Sequence, residues 1–175
     1  GAMMHFVPVL TRTRSVEPAV EWFSLLAWAG GALIVAFFAL TLPIAVRDVA
    51  AATALVACLG LAVWQLKRGR AALGGAHPGL RWYLAALFCL GAGLLAVLAM
   101  SLWPRENLAL KHFHLHLNLF GFVGLTAIGT MQVLLPTAAG RPDTAVALRL
   151  RADLPLALAG SLLIALGAAW LPPLS

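Results

Sequence analysis

Acidic side chains are scarce in this chain, and they stay out of its long apolar runs. Glu17, Glu21, Asp48, Glu106, Asp143 and Asp153 are the whole set, and each lies in a loop or at the edge of an apolar stretch. A relay of carboxylates inside a membrane span, as proton-coupled transporters use, is therefore not expected. Cysteine is nearly absent too. Cys58 and Cys89 sit inside apolar runs without CxxC spacing, so they read as small buried hydrophobes rather than as a disulfide or a zinc site. No glycine-rich phosphate loop, Ser-His-Asp order or HExxH is present. The opening residues lack a basic stretch followed by an apolar run and a small-residue cleavage site, so no signal peptide is expected. Gly1-Ala2-Met3 reads either as a scar of tag removal or as native chain.

What the chain has in abundance is hydrocarbon. Of its 175 residues, 62% are hydrophobic and only 10% charged, with a mean hydropathy of +0.95. That excludes an ordinary soluble domain and points to an all-α, polytopic membrane bundle whose partner is the lipid bilayer. The net charge of +6 then belongs to cationic loops on one membrane face, and no nucleic-acid partner is expected. Five runs are long enough to span a hydrocarbon core of ~30 Å at ~1.5 Å per residue: 22–46, 49–66, 82–103, 112–136 and 154–171. All are expected to be helices, because a spanning segment must satisfy its own backbone hydrogen bonds and no alternating barrel pattern is present. Trp22, Trp82, Trp103 and Trp170 fall at span ends, where indoles favour the headgroup region.

Lysine and arginine set the expected orientation. Alternate loops carry Arg12 and Arg14, then Lys67, Arg68, Arg70 and Arg81, then Arg141, Arg149 and Arg151; the opposite loops carry only Arg47, Arg105 and Lys111. The positive-inside rule makes the first set cytoplasmic. The fourth span then begins on the outer face, periplasmic in a bacterial inner membrane.

There is also an internal echo. Gly1, Met3 and Pro8 match Gly129, Met131 and Pro136, while Ala29-Gly30, Leu33-Ile34 and Pro43 match Ala159-Gly160, Leu163-Ile164 and Pro172, at offsets of 128 to 130. The repeating unit implied is a four-helix arc, with residues 1–10 as the end of a preceding helix and the chain as part of a larger array.

The fourth span carries the chemistry. It opens Lys111-His-Phe-His-Leu-His-Leu-Asn118, placing three histidines at alternate positions where a membrane span begins. Imidazoles there are costly unless paired or ligating. At about 100° per residue, His114 and His116 point to nearly opposite flanks, whereas His112 and His116 share a face. An i, i+2 pair cannot chelate one ion on a regular helix, but it can offer one ligand to each of two cofactors. Imidazole is a good axial ligand for heme iron. Gly121, Gly124 and Gly129 remove bulk, which suits a flat macrocycle or a close neighbouring helix. Plainer readings stand beside these: a solvated His112, interhelical hydrogen bonds for His114 and His116, helix packing for the glycines and Met131, and an interfacial His5.

His114-Leu-His116, followed by Gly129-Thr-Met and Pro136 and a short loop with Gly140, resembles the two-heme helix of subunit I in heme-copper oxidases. It is also similar to nitric oxide reductases, and the run from His116 to Thr126 is closest to their cytochrome-bound branch. The likeness covers residues 112–141, with a weaker match at 1–10. It implies a fold of four-helix arcs and a histidine helix entering from the outer side. It further implies a high-spin heme on His114 and a low-spin heme on His116. The sequence departs from the oxidases where they carry adjacent copper histidines, since 22–46 has none, and Tyr83 does not match their cross-linked tyrosine. Oxygen reduction and proton pumping are therefore not implied. The closer likeness is to the NnrS-like membrane proteins linked to nitric oxide response.

The expectation is a heme-binding integral membrane protein, b-type, serving electron transfer or diatomic-gas chemistry, with a redox partner protein and an oligomer or the rest of a longer chain as further partners. His114, His116, Asn118 and Gly121 are the expected heme contacts. Two alternatives remain: a cofactor-free membrane subunit or assembly factor, and copper or zinc handling through the outer-face histidines, the metal-ligating set being drawn from His112, His114 and His116.

Overall fold

A computed structural model describes residues 2–13, 18–141 and 143–171. Gly1, Arg14, Glu17 and Pro172, which entered the echo and the charge count, lie outside the described residues. The fold is an all-helical bundle, with no strand among the described residues. Its elements are α1 (Ala2–Thr11), α2 (Pro18–Ala39), α3 (Ile44–Arg70), α4 (Gly79–Leu102), a single 3-10 turn (Pro104–Glu106), α5 (Asn107–His116), a π-helical segment (Leu117–Gly124), α6 (Leu125–Ala138) and α7 (Val146–Trp170). The turn, α5, the π segment and α6 run on as one rod, so five helices are long and apolar enough to cross a membrane.

Successive long helices alternate in direction. One end of the bundle gathers Arg47, Asp48, Ser101 and the three histidines of α5, with Arg47 bonded to Ser101 across α3 and α4. The opposite, basic end carries Lys67, Arg68, Arg70 and Arg81, and there the His77 amide donates to the Leu10 carbonyl at 3.1 Å. Helix α4 is the hub, packed against α3 on one side and the rod on the other, with one flank touching α7. Its buried face includes Trp82, Tyr83, Ala86, Cys89, Gly93 and Met100. Large apolar side chains elsewhere face outward, Trp28 at 79% exposure and Leu156 at 76% among them. Apolar surface on this scale suits contact with lipid chains rather than water.

The helix ends differ from the expected spans for local reasons. The first helix stops at Ala39 rather than Val46, because Pro43 cannot continue it. Thr41 takes a left-handed φ of 49°, and the Leu42 amide reaches back to the Phe37 carbonyl at 3.2 Å, closing the helix. The second then starts at Ile44, which places Arg47 and Asp48 inside α3 instead of in a loop. Helix α7 begins at Val146, so Arg149, Arg151 and Asp153 are helical as well. Trp82 departs from the role of interfacial anchor. It is 0% exposed and donates its indole N–H to the Leu150 carbonyl at 2.8 Å. Gly129 makes room for it, since a Cβ there would lie 2.7 Å from that of Trp82.

The two copies of the echo end alike. The Pro8 carbonyl accepts from the Thr13 amide at 3.0 Å and the Pro136 carbonyl from the Arg141 amide at 2.9 Å. The intervening Arg12 and Gly140 are both left-handed, with φ of 52° and 66°. The following helices start at Pro18 and Val146, again 128 residues apart.

Candidate functional site

Between the α2–α3 hairpin and the face formed by α4 and the rod lies an elongated cavity of about 540 Å³, within the range of small-molecule and cofactor sites. Its walls are overwhelmingly apolar. On α3 they are built from Ala50, Ala51, Ala54 and Ala57, whose small side chains leave the trough open, and on the rod from His114, Phe122 and Thr126. Arg47 borders it at the histidine end, Met3 and Met4 toward the basic end.

His114 is the one imidazole of the rod on this wall. Its Nδ1 lies 2.9 Å from the Gly93 carbonyl oxygen. A carbonyl can only accept, so Nδ1 carries the proton when it serves Gly93, leaving the Nε2 lone pair available; the Asn118 amide nitrogen, 3.0 Å from the same Nδ1, directs an N–H to the His114 carbonyl. Among the described residues no hydrogen-bond partner reaches Nε2. Asn118 secures the arrangement from below, its amide N–H donating to the His114 carbonyl at 2.9 Å. Gly93 is the enabling residue on α4, because a Cβ there would sit 2.9 Å from the Asn118 amide nitrogen and 3.4 Å from His114 Nδ1.

The π segment begins next to this contact. In a regular helix the His114 carbonyl would serve the backbone amide of residue 118. Here the Asn118 side chain donates to it too, a competitor of the kind that opens a helical ladder. The consequence is rotational. On a straight α-helix, Phe122 and Thr126 would stand about 80° and 120° around the axis from His114. The wider π turns bring them back toward the His114 flank, and all three border one cavity.

Arg47 is held by the Asp48 carboxylate at 2.9 Å and by the Ser101 hydroxyl oxygen at 2.6 Å, while Ser101 Oγ donates to the second Asp48 oxygen at 2.6 Å. This triad ties α3 to α4 and keeps a guanidinium at the cavity rim, its side chain only 13% exposed.

The other expected contacts lie elsewhere. His116 is on the opposite flank, its Nδ1 2.8 Å from the His112 carbonyl oxygen and its ring stacked on Phe120. His112 turns toward α7, with Nδ1 3.1 Å from the Ala168 carbonyl oxygen. Neither borders the His114 cavity, nor a second one of about 440 Å³ walled by α4, Phe113 and Trp170. Gly121 borders neither and faces Cys89, whose Sγ would lie 2.7 Å from an added Cβ; it serves close packing of the rod on α4. Cys58 and Cys89 are buried free thiols. Sequence reasoning did not find Gly93 or Arg47. The signals were faint: a small-residue run, Gly91-Ala92-Gly93, and an Arg-Asp pair at a span edge.

No cluster of three or more His, Cys, Asp or Glu side chains suited to one metal ion occurs among the described residues. No protein-family model, curated protein or solved structure matches this chain.

Proposed function

We propose that the protein is a heme-binding integral membrane protein and that His114 is an axial ligand to the iron. The observation that carries this reading is the pairing of one imidazole, its Nδ1 proton committed to the Gly93 carbonyl, with an apolar cavity beside it. Ligating histidines characteristically have the other ring nitrogen fixed in this way, which sets the tautomer and the ring plane. The cavity's composition fits the group: apolar walls for a macrocycle, and the Arg47 guanidinium at the rim to meet its carboxylates. A non-covalently held heme such as b-type suits the site, since the sequence has no C-x-x-C-H run for covalent attachment. An iron porphyrin held there would supply one-electron transfer and binding of O2 or NO. The chain's own contribution is to orient His114, to offer N–H groups of the Asp48-paired Arg47 at the rim, and to line the group with the alanine wall.

His116, assigned a second heme by the resemblance, would need walls supplied by another copy or by further helices, as in a larger array of four-helix arcs. The alike ends of α1 and α6 support such a repeat. Electron transfer would require a redox partner protein. We further place the histidine end on the outer face of a bacterial inner membrane, because the basic residues crowd the other end.

The test is a reduced-minus-oxidised spectrum of detergent-solubilised protein expressed with ample heme. A Soret band abolished by His114→Ala is expected. Colourless protein, with His114→Ala folding normally, would instead favour a cofactor-free membrane subunit.

A further inference from the structure

We propose that His112 and His116 form a separate site for a divalent transition-metal ion of the zinc and copper class, at the histidine end of the rod and on the flank away from the cavity. Two histidines four residues apart on a helix present their rings on one face, the spacing by which helical His pairs grip zinc. Here the ring centroids are 6.3 Å apart. Two metal–nitrogen bonds of about 2.0–2.1 Å, added to the radii of the rings, span such a gap with side-chain adjustment alone.

The tautomers agree with this use. His112 Nδ1 lies 3.1 Å from the Ala168 carbonyl oxygen and His116 Nδ1 2.8 Å from that of His112. Both acceptors are carbonyls, so both protons sit on Nδ1 and both Nε2 lone pairs remain. Among the described residues neither Nε2 has a hydrogen-bond partner. Backbone carbonyls behind the ligating rings are the usual outer support of a metal site. The Phe120 ring, stacked at 6.2 Å on His116, further limits its rotation. Both histidines are half-buried in the first half of the rod.

No third His, Cys, Asp or Glu joins them among the described residues. The described residues therefore supply two ligands and leave the remaining positions to water or an incoming ligand, which fits a site that exchanges its ion. Borderline ions that accept imidazole suit it; calcium and magnesium, which demand oxygen, do not. This site is independent of heme at His114 and excludes a second heme on His116, whose Nε2 it uses; its variants report separately from heme at His114.

The experiment is calorimetric titration of the detergent-solubilised chain, prepared without added heme, with zinc chloride and then copper chloride. One ion per chain is expected, with affinity at least tenfold weaker in His112→Ala and in His116→Ala and unchanged in His114→Ala. His112→Gln and His116→Gln, which keep a polar side chain at each position, guard against loss of folding and should show the same weakening. In the wild-type chain, bound zinc should also protect both rings from diethyl pyrocarbonate. Unchanged affinity in the His112 and His116 variants, or loss in His114→Ala alone, would overturn the proposal. The Soret band, read on the same variants, follows His114 and tests the heme reading separately.

Discussion

The Gly93 carbonyl of α4 and the His114 imidazole of the rod meet at 2.9 Å, so both Gly93 and the Asn118 amide, 3.0 Å away, engage Nδ1 and leave Nε2 free. The Gly93 contact exists because position 93 has no side chain. A backbone carbonyl is thereby exposed on a helix face at the depth where the rod turns its histidine inward.

Gly93→Ala is therefore expected to separate binding from folding. The new Cβ would press on the Asn118 amide at 2.9 Å, the far end of a movable side chain, and crowd His114 Nδ1 at 3.4 Å. Alanine gains roughly 1 kcal/mol of helix propensity over glycine, which offsets much of the steric cost. Unfolding temperature of the heme-free protein should change little, while the Soret absorbance per chain falls several-fold. Full heme content in this variant would show that the Gly93 contact does not orient the ligand.

A stronger structural effect is expected at the other end of the rod. Gly129→Ala drives a Cβ to 2.7 Å and 2.9 Å from Trp82 Cβ and Cγ. Trp82 cannot retreat, being fully buried with its indole bonded to the Leu150 carbonyl. Overpacking of this kind costs about 1–3 kcal/mol. Thermal unfolding in detergent should show it, and Trp82→Phe should not restore the double variant, since phenylalanine keeps the clashing Cβ and Cγ and loses the hydrogen bond.

The loop at the basic end is expected to respond to pH. His77 Nδ1 accepts from the Gly79 amide at 3.1 Å, and its own amide holds the end of α1. Burial, with the nearby Arg151 charge second, holds this imidazole below its ordinary range. A folded-state pKa lowered in this way means that the unfolded chain takes up the proton first. The contribution of His77 is thus complete above about pH 6.5 and is lost as the pH falls below it. Protonation at Nδ1 also removes the acceptor for Gly79. Melting curves at pH 8 and pH 5 should show lower stability at pH 5, and His77→Gln should narrow the difference.

Hydropathy alone determined the five membrane-length helices, because hydrocarbon can be spanned only by segments that satisfy their own backbone, and that requirement is written locally in composition. Helical periodicity likewise separated His114 from the His112–His116 face, since the α register holds as far as His116. The break between α2 and α3 is missed in the sequence, because the apolar run continues through Pro43 and carries the first span on to Val46. What lies beside each histidine was not legible. The His114 cavity depends on alanines some sixty residues earlier, and its orienting carbonyl on a glycine in another helix. Trp82 reads as an anchor from its position in the chain, but it is buried because Gly129, far along the sequence, leaves a space of its shape. The π segment turns Phe122 and Thr126 toward the cavity against the rotation that simple counting assigns. Local periodicity and composition settle which segments are helices and which faces they have; only the packing of one helix on another decides what each face meets.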